Sequence, residues 1–267
     1  MRRRGHASLS NLKHVRMKKF PLHRFMEFVP FEAAELELFT SLSSESRHFR
    51  RHDVIRQQGD DVREVYFLSE GWVGSCVDFA TGSRQMVKVH LPGDMLGTPS
   101  VVLDSAAETL IALTPITIHV IPASAYSRLF MSAPRVAAAM FLTAQKERVL
   151  LMDRLTSVAR TTAMQRLAAF LLHVYDRLKT VENLDEPMFE LPLSQEELAD
   201  VLGITPVHAN RTFAQLDNTG LVDRRGRWIT LLNVSGLRSL GAVPDRRFEC
   251  TADWHAPALW QGEDRPT

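Results

Sequence analysis

Cysteine is scarce in this sequence. Only Cys76 and Cys250 occur among the 267 residues, and they lie far apart in the chain. Such sparse usage argues against a disulfide framework and for a reducing compartment. The sequence therefore predicts a cytoplasmic protein.

Long apolar runs are missing as well. Apolar runs such as Val149 to Met152 and Leu167 to Leu172 are far shorter than the roughly 20 residues of a membrane-spanning helix. The N-terminal stretch lacks the apolar core and the small-residue cleavage site of a secretory signal. We therefore expect neither a membrane span nor export.

The third absence is a strong excess of one charge. The net charge is +1, and residues 161–241 carry eight basic against ten acidic side chains, a net of −2. This balance argues against simple electrostatic binding of nucleic acid. Residues 1–19 differ, and we interpret them as a disordered, solvated tail, with a DNA-steering arm as the alternative. They contain no acidic residue and seven basic ones, namely Arg2, Arg3, Arg4, Lys13, Arg16, Lys18 and Lys19.

Several short runs of β-branched and aromatic residues lie between positions 50 and 122. Turn signals such as Gly59-Asp60 and Pro92-Gly93-Asp94 separate them. Short strands at this spacing favour a barrel or sandwich of the jelly-roll type, with a short helix predicted on either side, within residues 31–42 and 123–133. The predicted strands contain Val54-Ile55, Val65 to Leu68, Trp72 to Gly74, Met86 to Val89 and Ile116 to Ile121.

Pro134 opens a long helical stretch that nothing breaks through Arg160. Along it, six residues alternate four and three positions apart, which is the spacing of a two-stranded coiled-coil seam. A helix buried in its own domain is the alternative. A further amphipathic helix follows from Thr161 to Lys179. The seam predicts dimerisation through Ala138, Leu142, Gln145, Val149, Met152 and Thr156.

Residues 191–228 contain, in order, the parts of a winged helix-turn-helix. Ser194 followed by Glu197 is a capping box, because the hydroxyl accepts from the third amide of a new helix while the carboxylate reaches back. Gly203 supplies the permissive backbone of a sharp turn. We therefore predict a first helix that begins at Ser194 and ends at Gly203.

A second helix begins at Thr205, its N-cap, and Pro206, whose missing amide would be unpaired there anyway. It runs to about Asn218, and Gly220 stops it. A strand, a tight turn and a second strand follow, which predict a hairpin wing. Apolar residues at spacings of four and three form one side of the helix, so a partner would meet the other side, with Val207, His208, Asn210, Arg211 and Gln215.

A β-roll, a long dimerisation-type helix and a C-terminal winged helix-turn-helix together resemble the CRP/FNR family of bacterial transcriptional regulators. The most specific pieces are Gly59-Asp60, the LPGDMLG stretch at residues 91–97, and the stretch from Leu193 to Arg211. The resemblance covers roughly residues 28–241. It implies an α+β fold that joins a cyclic-nucleotide-binding-like β-roll (jelly roll), a long dimerisation helix and a DNA-binding domain.

The sequence departs from the family where effectors bind. Members that bind cAMP carry a glutamate at the position of Thr98 and an Arg-Ser-Ala segment where Glu108-Thr109-Leu110 stands here. A phosphate beside Glu108 would be repelled and desolvated, which argues against cAMP. The first 75 residues hold no cysteine cluster for an iron–sulfur centre. Haem would need a ligand such as His90 or His119, for which a structural role is the competing interpretation, so no cofactor is predicted.

The resemblance implies that the second helix enters the major groove of DNA. Arg211 is suited to guanine and Asn210 to adenine, whereas Val207 replaces the glutamate that members commonly use for cytosine and could contact a thymine methyl. A surface ion pair with Asp217 or Glu197 is the alternative for Arg211. The implied base-reading positions are Pro206, Val207, Asn210 and Arg211, and the expected phosphate contacts are Ser194, Thr205, His208 and the wing residues Arg224 and Arg225.

The sequence thus predicts a homodimeric, sequence-specific DNA-binding regulator of transcription that acts on a palindromic site and is not an enzyme. Its expected partners are double-stranded DNA and a second copy of the chain, with RNA polymerase as a candidate. One alternative is a ligand-sensing dimer that acts mainly through protein contacts, and another is a cupin-like metalloenzyme, which would need clustered His and Glu ligands. An unidentified effector, control by abundance and oxidation of Cys76 all stay open as signals.

The expected divisions of the chain are a basic tail (1–19), a β-roll sensor (20–133), a dimerisation helix (134–160), a winged helix-turn-helix (161–241) and a C-terminal extension (242–267) that packs on the wing or stays disordered.

Overall fold

The protein is described here by a computed structural model, which covers residues 20–182, 186–244, 246 and 248. The predicted basic tail (1–19), Cys250 and most of the C-terminal extension lie outside the described residues. Within the described ranges, no helix combines the length and the apolar character that crossing a bilayer requires.

The N-terminal part is a β-roll preceded by two short helices, α1 (His23–Met26) and α2 (Ala33–Ser41). Its eight strands are β1 (Glu45–Phe49), β2 (Val54–Arg56), β3 (Glu64–Glu70), β4 (Val73–Asp78), β5 (Arg84–His90), β6 (Met95–Leu96), β7 (Thr109–Ala112) and β8 (Ile116–Pro122). They form two four-stranded antiparallel sheets, in the orders β1-β8-β3-β6 and β2-β7-β4-β5. The jelly-roll prediction is therefore confirmed.

Three strands of the roll were not predicted, and in each case there is a physical reason why the sequence lacks a clear strand pattern. The sequence of β1, ESRHF, is mostly polar and exposed, because this strand lies at a sheet edge and pairs only with β8. Strand β6 has two residues, too few for a period-two pattern. Strand β7 is buried between β2 and β4, so its short TLIA run shows no alternation of apolar and polar residues.

Helices α3 (Tyr126–Ser132) and α4 (Pro134–Arg160) leave the roll, and α4 has the length that its sequence predicts. The C-terminal domain then contains α5 (Ala163–Glu182), β9 (Met188–Glu190), α6 (Gln195–Leu202), α7 (Pro206–Asp217), β10 (Val222–Arg225), β11 (Trp228–Leu231) and α8 (Val234–Leu240). Its three strands form one sheet, in the order β10-β11-β9. Strand β9, which pairs with β11 of the wing, was not predicted from the sequence.

The coiled-coil seam predicted on α4 is wrong for two of its residues. Ala138 is buried in the protein's own core and Leu142 is half-buried against the same core, so both contribute to packing within the chain. Gln145 and Val149 are half-buried, whereas Met152 and Thr156 are exposed. Besides Met152 of the predicted seam, which is 60% exposed, α4 has four exposed large apolar side chains that lie about a quarter of a turn away. They are Phe141, Leu151, Leu155 and Val158, which are 56%, 50%, 73% and 53% exposed.

One apolar cluster connects the roll to the C-terminal domain. It includes Trp72, which directly precedes β4, Met86 of β5, and Leu171, Val201 and Phe213 from α5, α6 and α7. The helix-turn-helix therefore packs directly on the β-roll in this structure.

A buried charge cluster centred on Asp94 joins four parts of the chain. Its Oδ1 accepts hydrogen bonds from Arg24 Nη1 of α1 at 2.5 Å and from Arg177 Nη2 of α5 at 2.6 Å. Arg24 also pairs with Glu147 of α4, and Lys88 Nζ of β5 lies 2.5 Å from the same carboxylate. The N-terminal helix, the roll, the long helix and the C-terminal domain thus meet at one point.

Neighbouring cations keep this cluster ionised. Burial by itself raises the pKa of Asp94, but the charges of Arg177 and Arg24 outweigh that effect and hold the pKa well below its usual range. For Glu147, burial is likewise outweighed, by Lys88 and Arg24, and the pKa is lowered to about 2. Buried carboxylates of this kind are tolerated because they are paired and hydrogen-bonded.

Asp94→Asn should destabilise the protein by about 3–5 kcal/mol, because two buried guanidinium groups would lose the carboxylate that compensates them. Chemical denaturation measures the free energy of unfolding. The matched control is Asp61→Asn, since the Asp61–Arg63 pair is 73% and 83% exposed and should leave the denaturation midpoint nearly unchanged. Equally small effects of the two substitutions would contradict the importance of the cluster.

Mild acid should destabilise the protein before its carboxylates titrate. Burial, helped by nearby cations, lowers the pKa values of His23, His90 and His173 from 6.5 to about 4. Between pH 6.5 and about 4 these histidines bind more protons in the unfolded chain than in the folded protein. The free energy of unfolding therefore falls as the pH drops from 6.5 toward 4. His90 alone corresponds to a loss of about 1 kcal/mol between pH 7 and roughly 5.5. Urea midpoints at the two pH values should show the drop, and His90→Gln should reduce it; an unchanged midpoint in the parent protein would refute the assignment.

Candidate nucleic-acid interface

The first helix of the helix-turn-helix begins with the predicted capping box. Glu197 N donates to Ser194 Oγ at 3.1 Å, and Ser194 N donates to Glu197 Oε2 at 2.6 Å. Helix α6 ends at Gly203, whose φ of +66° lies in the left-handed region that glycine adopts without steric cost. The capping box and Gly203, which are both visible in the sequence, therefore define the two ends of α6.

The second helix is also capped as predicted. Thr205 Oγ1 accepts from His208 N at 3.3 Å, and Pro206 is the first helical residue. Ala209 and Phe213 anchor α7 in the domain core, where each is 1% exposed. The opposite side is open to solvent, and it presents Val207, His208, Asn210, Arg211 and Gln215.

Arg211 is the most informative side chain of this exposed face. The two carboxylates that could have bound it are engaged elsewhere: Arg51 Nη2 donates to Glu197 Oε2 at 2.8 Å, and the backbone N of Arg224 donates to Asp217 Oδ1 at 3.2 Å. Among the described residues, no acidic side chain forms an ion pair with Arg211. Its five N–H donors are therefore directed to solvent, as a base-reading residue requires.

The two wing arginines that the sequence assigns to DNA differ in their surroundings. The guanidinium carbon of Arg224 lies 4.4 Å from the centroid of the Phe213 ring, and its Nε donates to the carbonyl of Gly226 at 3.2 Å. Arg224 thus braces the wing against α7 through a cation–π contact. Arg225 is 85% exposed, and in the described part of the chain its ion-pair partner is the surface residue Asp223, so it stays available for a phosphate.

Sequence reasoning missed the contact between the roll and α6. Arg51 of the β1–β2 turn holds Glu197, and Arg154 Nη2 of α4 donates to the carbonyl of Val201 at 2.5 Å. Gln85 of β5 donates to the carbonyl of Asp200. The partners are separated by 47 to 146 positions in the chain, and two of the three acceptors are backbone carbonyls. No local sequence motif therefore predicts these contacts.

A buried ion pair stands in the roll where the resemblance places the cyclic-nucleotide phosphate. Arg56 Nη2 donates to Glu108 Oε1 at 2.9 Å and to Ser100 Oγ at 3.2 Å, and the two charged residues are 5% and 6% exposed. The guanidinium is so close to Gly97 that a β-carbon there would come within 2.8 Å of it. Glu108 is therefore paired within the protein, in a salt bridge with Arg56 that lies against Gly97.

Cys76, His90 and His119, the remaining candidates for redox or metal chemistry, are buried among other protein groups. Cys76 is buried, and burial raises the pKa of its thiol to about 11, which makes it a poor target for oxidation. His90 Nε2 lies 2.7 Å from Ser75 Oγ, and the ring of His119 stacks on Phe20 at 4.0 Å. In the part of the chain that the structure describes, no three His, Cys, Asp or Glu side chains are grouped so as to hold a metal ion.

Comparison with known proteins agrees with this architecture. Residues 46–133 match the cyclic nucleotide-binding domain, and residues 165–240 match the Crp-like helix-turn-helix domain. The transcriptional regulatory protein btr of Bordetella pertussis is 25% identical over 212 residues, which are 79% of this chain and 87% of that protein. The nitrogen fixation regulation protein FixK of Bradyrhizobium diazoefficiens is 28% identical over 213 residues, 79% and 88% of the two chains.

A solved structure shows the same arrangement of parts. FixK2 from Bradyrhizobium japonicum superposes with a TM-score of 0.67 at 27% identity, and the match covers 75% of this chain and 98% of that one. In this chain the β-roll corresponds to the match with the cyclic nucleotide-binding domain, and the helix-turn-helix corresponds to the match with the Crp-like domain. The long helix α4 lies between the two matched ranges. From its fold and its relatives, this DNA-binding chain belongs to the CRP/FNR family of transcriptional regulators.

Proposed function

We propose that this protein regulates transcription as a homodimer that binds a palindromic DNA site with its two α7 helices. The observation that carries the proposal is the exposed face of α7, on which Asn210 and Arg211 have hydrogen-bonding groups directed to solvent and Val207 is 72% exposed. Two such helices about 34 Å apart would meet successive major grooves on one side of the duplex. The bacterial cytoplasm, where that DNA lies, is the expected place of action.

Recognition must rest on few groups, because the C-terminal domain is acidic overall. Residues 161–241 carry a net charge of −2, so counterion release contributes little to their affinity for DNA. Two half-sites bound by a dimer compensate for weak binding of each one, since the second contact becomes intramolecular. Of the wing arginines, we assign the phosphate contact to Arg225, and we assign Arg224 to support of α7. RNA polymerase is the candidate protein partner at a promoter.

Dimerisation is assigned to the exposed apolar face of α4. Six residues of this face, five of them apolar, recur three and four positions apart, as in a coiled-coil seam, and Leu155 near its C-terminal end is 73% exposed. Burying such side chains against a second α4 is favourable by about 25 cal/mol for each Å² of apolar surface removed from water. The proposed seam consists of Phe141, Ala144, Arg148, Leu151, Leu155 and Val158.

Arg211→Ala should weaken binding to the selected palindrome by roughly 1–3 kcal/mol and relax the preference at one base pair, because a bidentate contact to guanine is lost. Fluorescence anisotropy at several salt concentrations measures both affinity and salt dependence. Arg225→Ala is the matched control, and it should reduce binding to cognate and random DNA alike and lower the salt slope by about 1. If Arg211→Ala weakens random DNA equally, the base-reading role is wrong.

Leu155→Glu should convert the dimer into a monomer, because a carboxylate would be placed within the apolar seam. Thr156→Glu is the matched control, since Thr156 is its exposed neighbour and belongs only to the seam predicted from the sequence. Analytical ultracentrifugation distinguishes the two seams. A monomeric Thr156→Glu beside a dimeric Leu155→Glu would assign the interface to the other face of α4.

A further inference from the structure

A cavity of about 290 Å³ lies between the roll, the long helix and the helix-turn-helix. Strand β5, helices α4, α5 and α6, and the segment 241–244 all contribute to its wall. Such concave, mostly apolar spaces at domain junctions are where small ligands bind. The apolar part of the wall includes Val89, Leu150, Phe170, Val174, Val201 and Val243.

The charged part of the wall is unbalanced. Four of its side chains are basic (Lys88, Arg154, Arg160 and Arg166) and two are acidic (Glu147 and Asp153). Both acidic groups are already paired, Glu147 with Lys88 at 2.5 Å and Asp153 with Arg246 at 2.5 Å. The remaining positive charge therefore has no carboxylate of the wall to compensate it.

Arg154 is the cation at the centre of this imbalance. Its guanidinium donates to the backbone carbonyls of Val87, Met86 and Val201, the last two at 3.1 and 2.5 Å. Within the described residues it has no acidic partner, and burial lowers the pKa of its guanidinium group. Arg166 is similar, since its hydrogen-bond acceptors among the described residues are the carbonyls of Leu202 and Thr161, at 3.0 and 2.8 Å. Carbonyl dipoles satisfy the hydrogen bonds of these groups but leave their charge uncompensated.

We propose that this cavity is a binding site for a small apolar anion, namely an aliphatic or aromatic carboxylate whose charged group meets Arg154 and Arg166 while its apolar body fills the cavity. The volume fits a small molecule, and the two cations select a negative charge. A partner helix would present one long face, whereas this wall curves around five segments of a single chain.

Arg154 also connects the cavity to DNA binding, a consequence that rests on the proposed function. The same guanidinium holds β5 through Met86 and Val87 and holds the end of α6 through Val201. A carboxylate at Arg154 competes with the carbonyl of Val201, so bound ligand loosens α6 from the long helix. Because α6 packs against α7, ligand and DNA affinities become coupled, and the coupling is reciprocal.

Isothermal titration calorimetry with octanoate, and with octanamide as its neutral analogue, tests the site on the full chain without DNA. Octanoate should bind saturably, once per protomer, and at least about tenfold more tightly than octanamide, because an ion pair distinguishes them. Arg154→Gln should remove that difference. Ala169→Leu, which fills the cavity while leaving both arginines in place, should abolish binding of both probes.

Arg128→Gln is the matched control, because Arg128 is an exposed arginine of α3 outside the cavity wall, and it should leave octanoate binding unchanged. Absence of saturable binding, or binding that survives Ala169→Leu, overturns the site while leaving DNA binding intact. Octanoate binding to the Leu155→Glu monomer but not to the dimer would also overturn it, since the partner's helix would then fill the space. Octanoate binding with unchanged DNA affinity overturns the coupling, and failure of ligand-free protein to bind any palindrome overturns only the proposed function.

Discussion

The carboxylate of Asp94 is the point on which the arrangement of this protein depends. It is fully buried and is compensated by guanidinium groups from α1 and α5, which are 70 and 83 positions away in the chain. Charges in such surroundings must be paired accurately, so their geometry selects one relative placement of the segments that supply them. Because α5 belongs to the helix-turn-helix domain, the orientation of the DNA-binding surface is set partly inside the roll.

The region of the roll that corresponds to the family's cyclic-nucleotide site contains an internal ion pair. Glu108 in place of the arginine segment would leave a buried negative charge, and Arg56 from β2 supplies the cation that neutralises it. Ser100 also binds the pair, because its hydroxyl accepts from Arg56 and donates to Glu108. The proposed sensing site is then displaced from the roll interior to the junction between the domains.

Interactions between residues close together in the sequence could be predicted, whereas interactions between distant segments could not. Capping boxes, an N-terminal proline and a left-handed glycine act over three or four residues, and they gave the ends of α6 and α7 correctly. The seam on α4 was misplaced because Ala138 and Leu142 are apolar for a different reason, namely contact with the protein's own core. The Asp94 cluster and the cavity depend on pairings between distant segments, which a single sequence does not display.

Glu197 has two duties that are usually separate. Its carboxylate completes the capping box that begins α6, and the same Oε2 atom accepts from Arg51 of the roll. The initiation of the first helix of the DNA-binding motif and the docking of that motif on its neighbour thus share one atom. The two domains are consequently not interchangeable modules: a chimera that joins this helix-turn-helix to another member's roll would alter the cap of α6 along with the interface, so transplanting the motif requires its docking turn to be transplanted too.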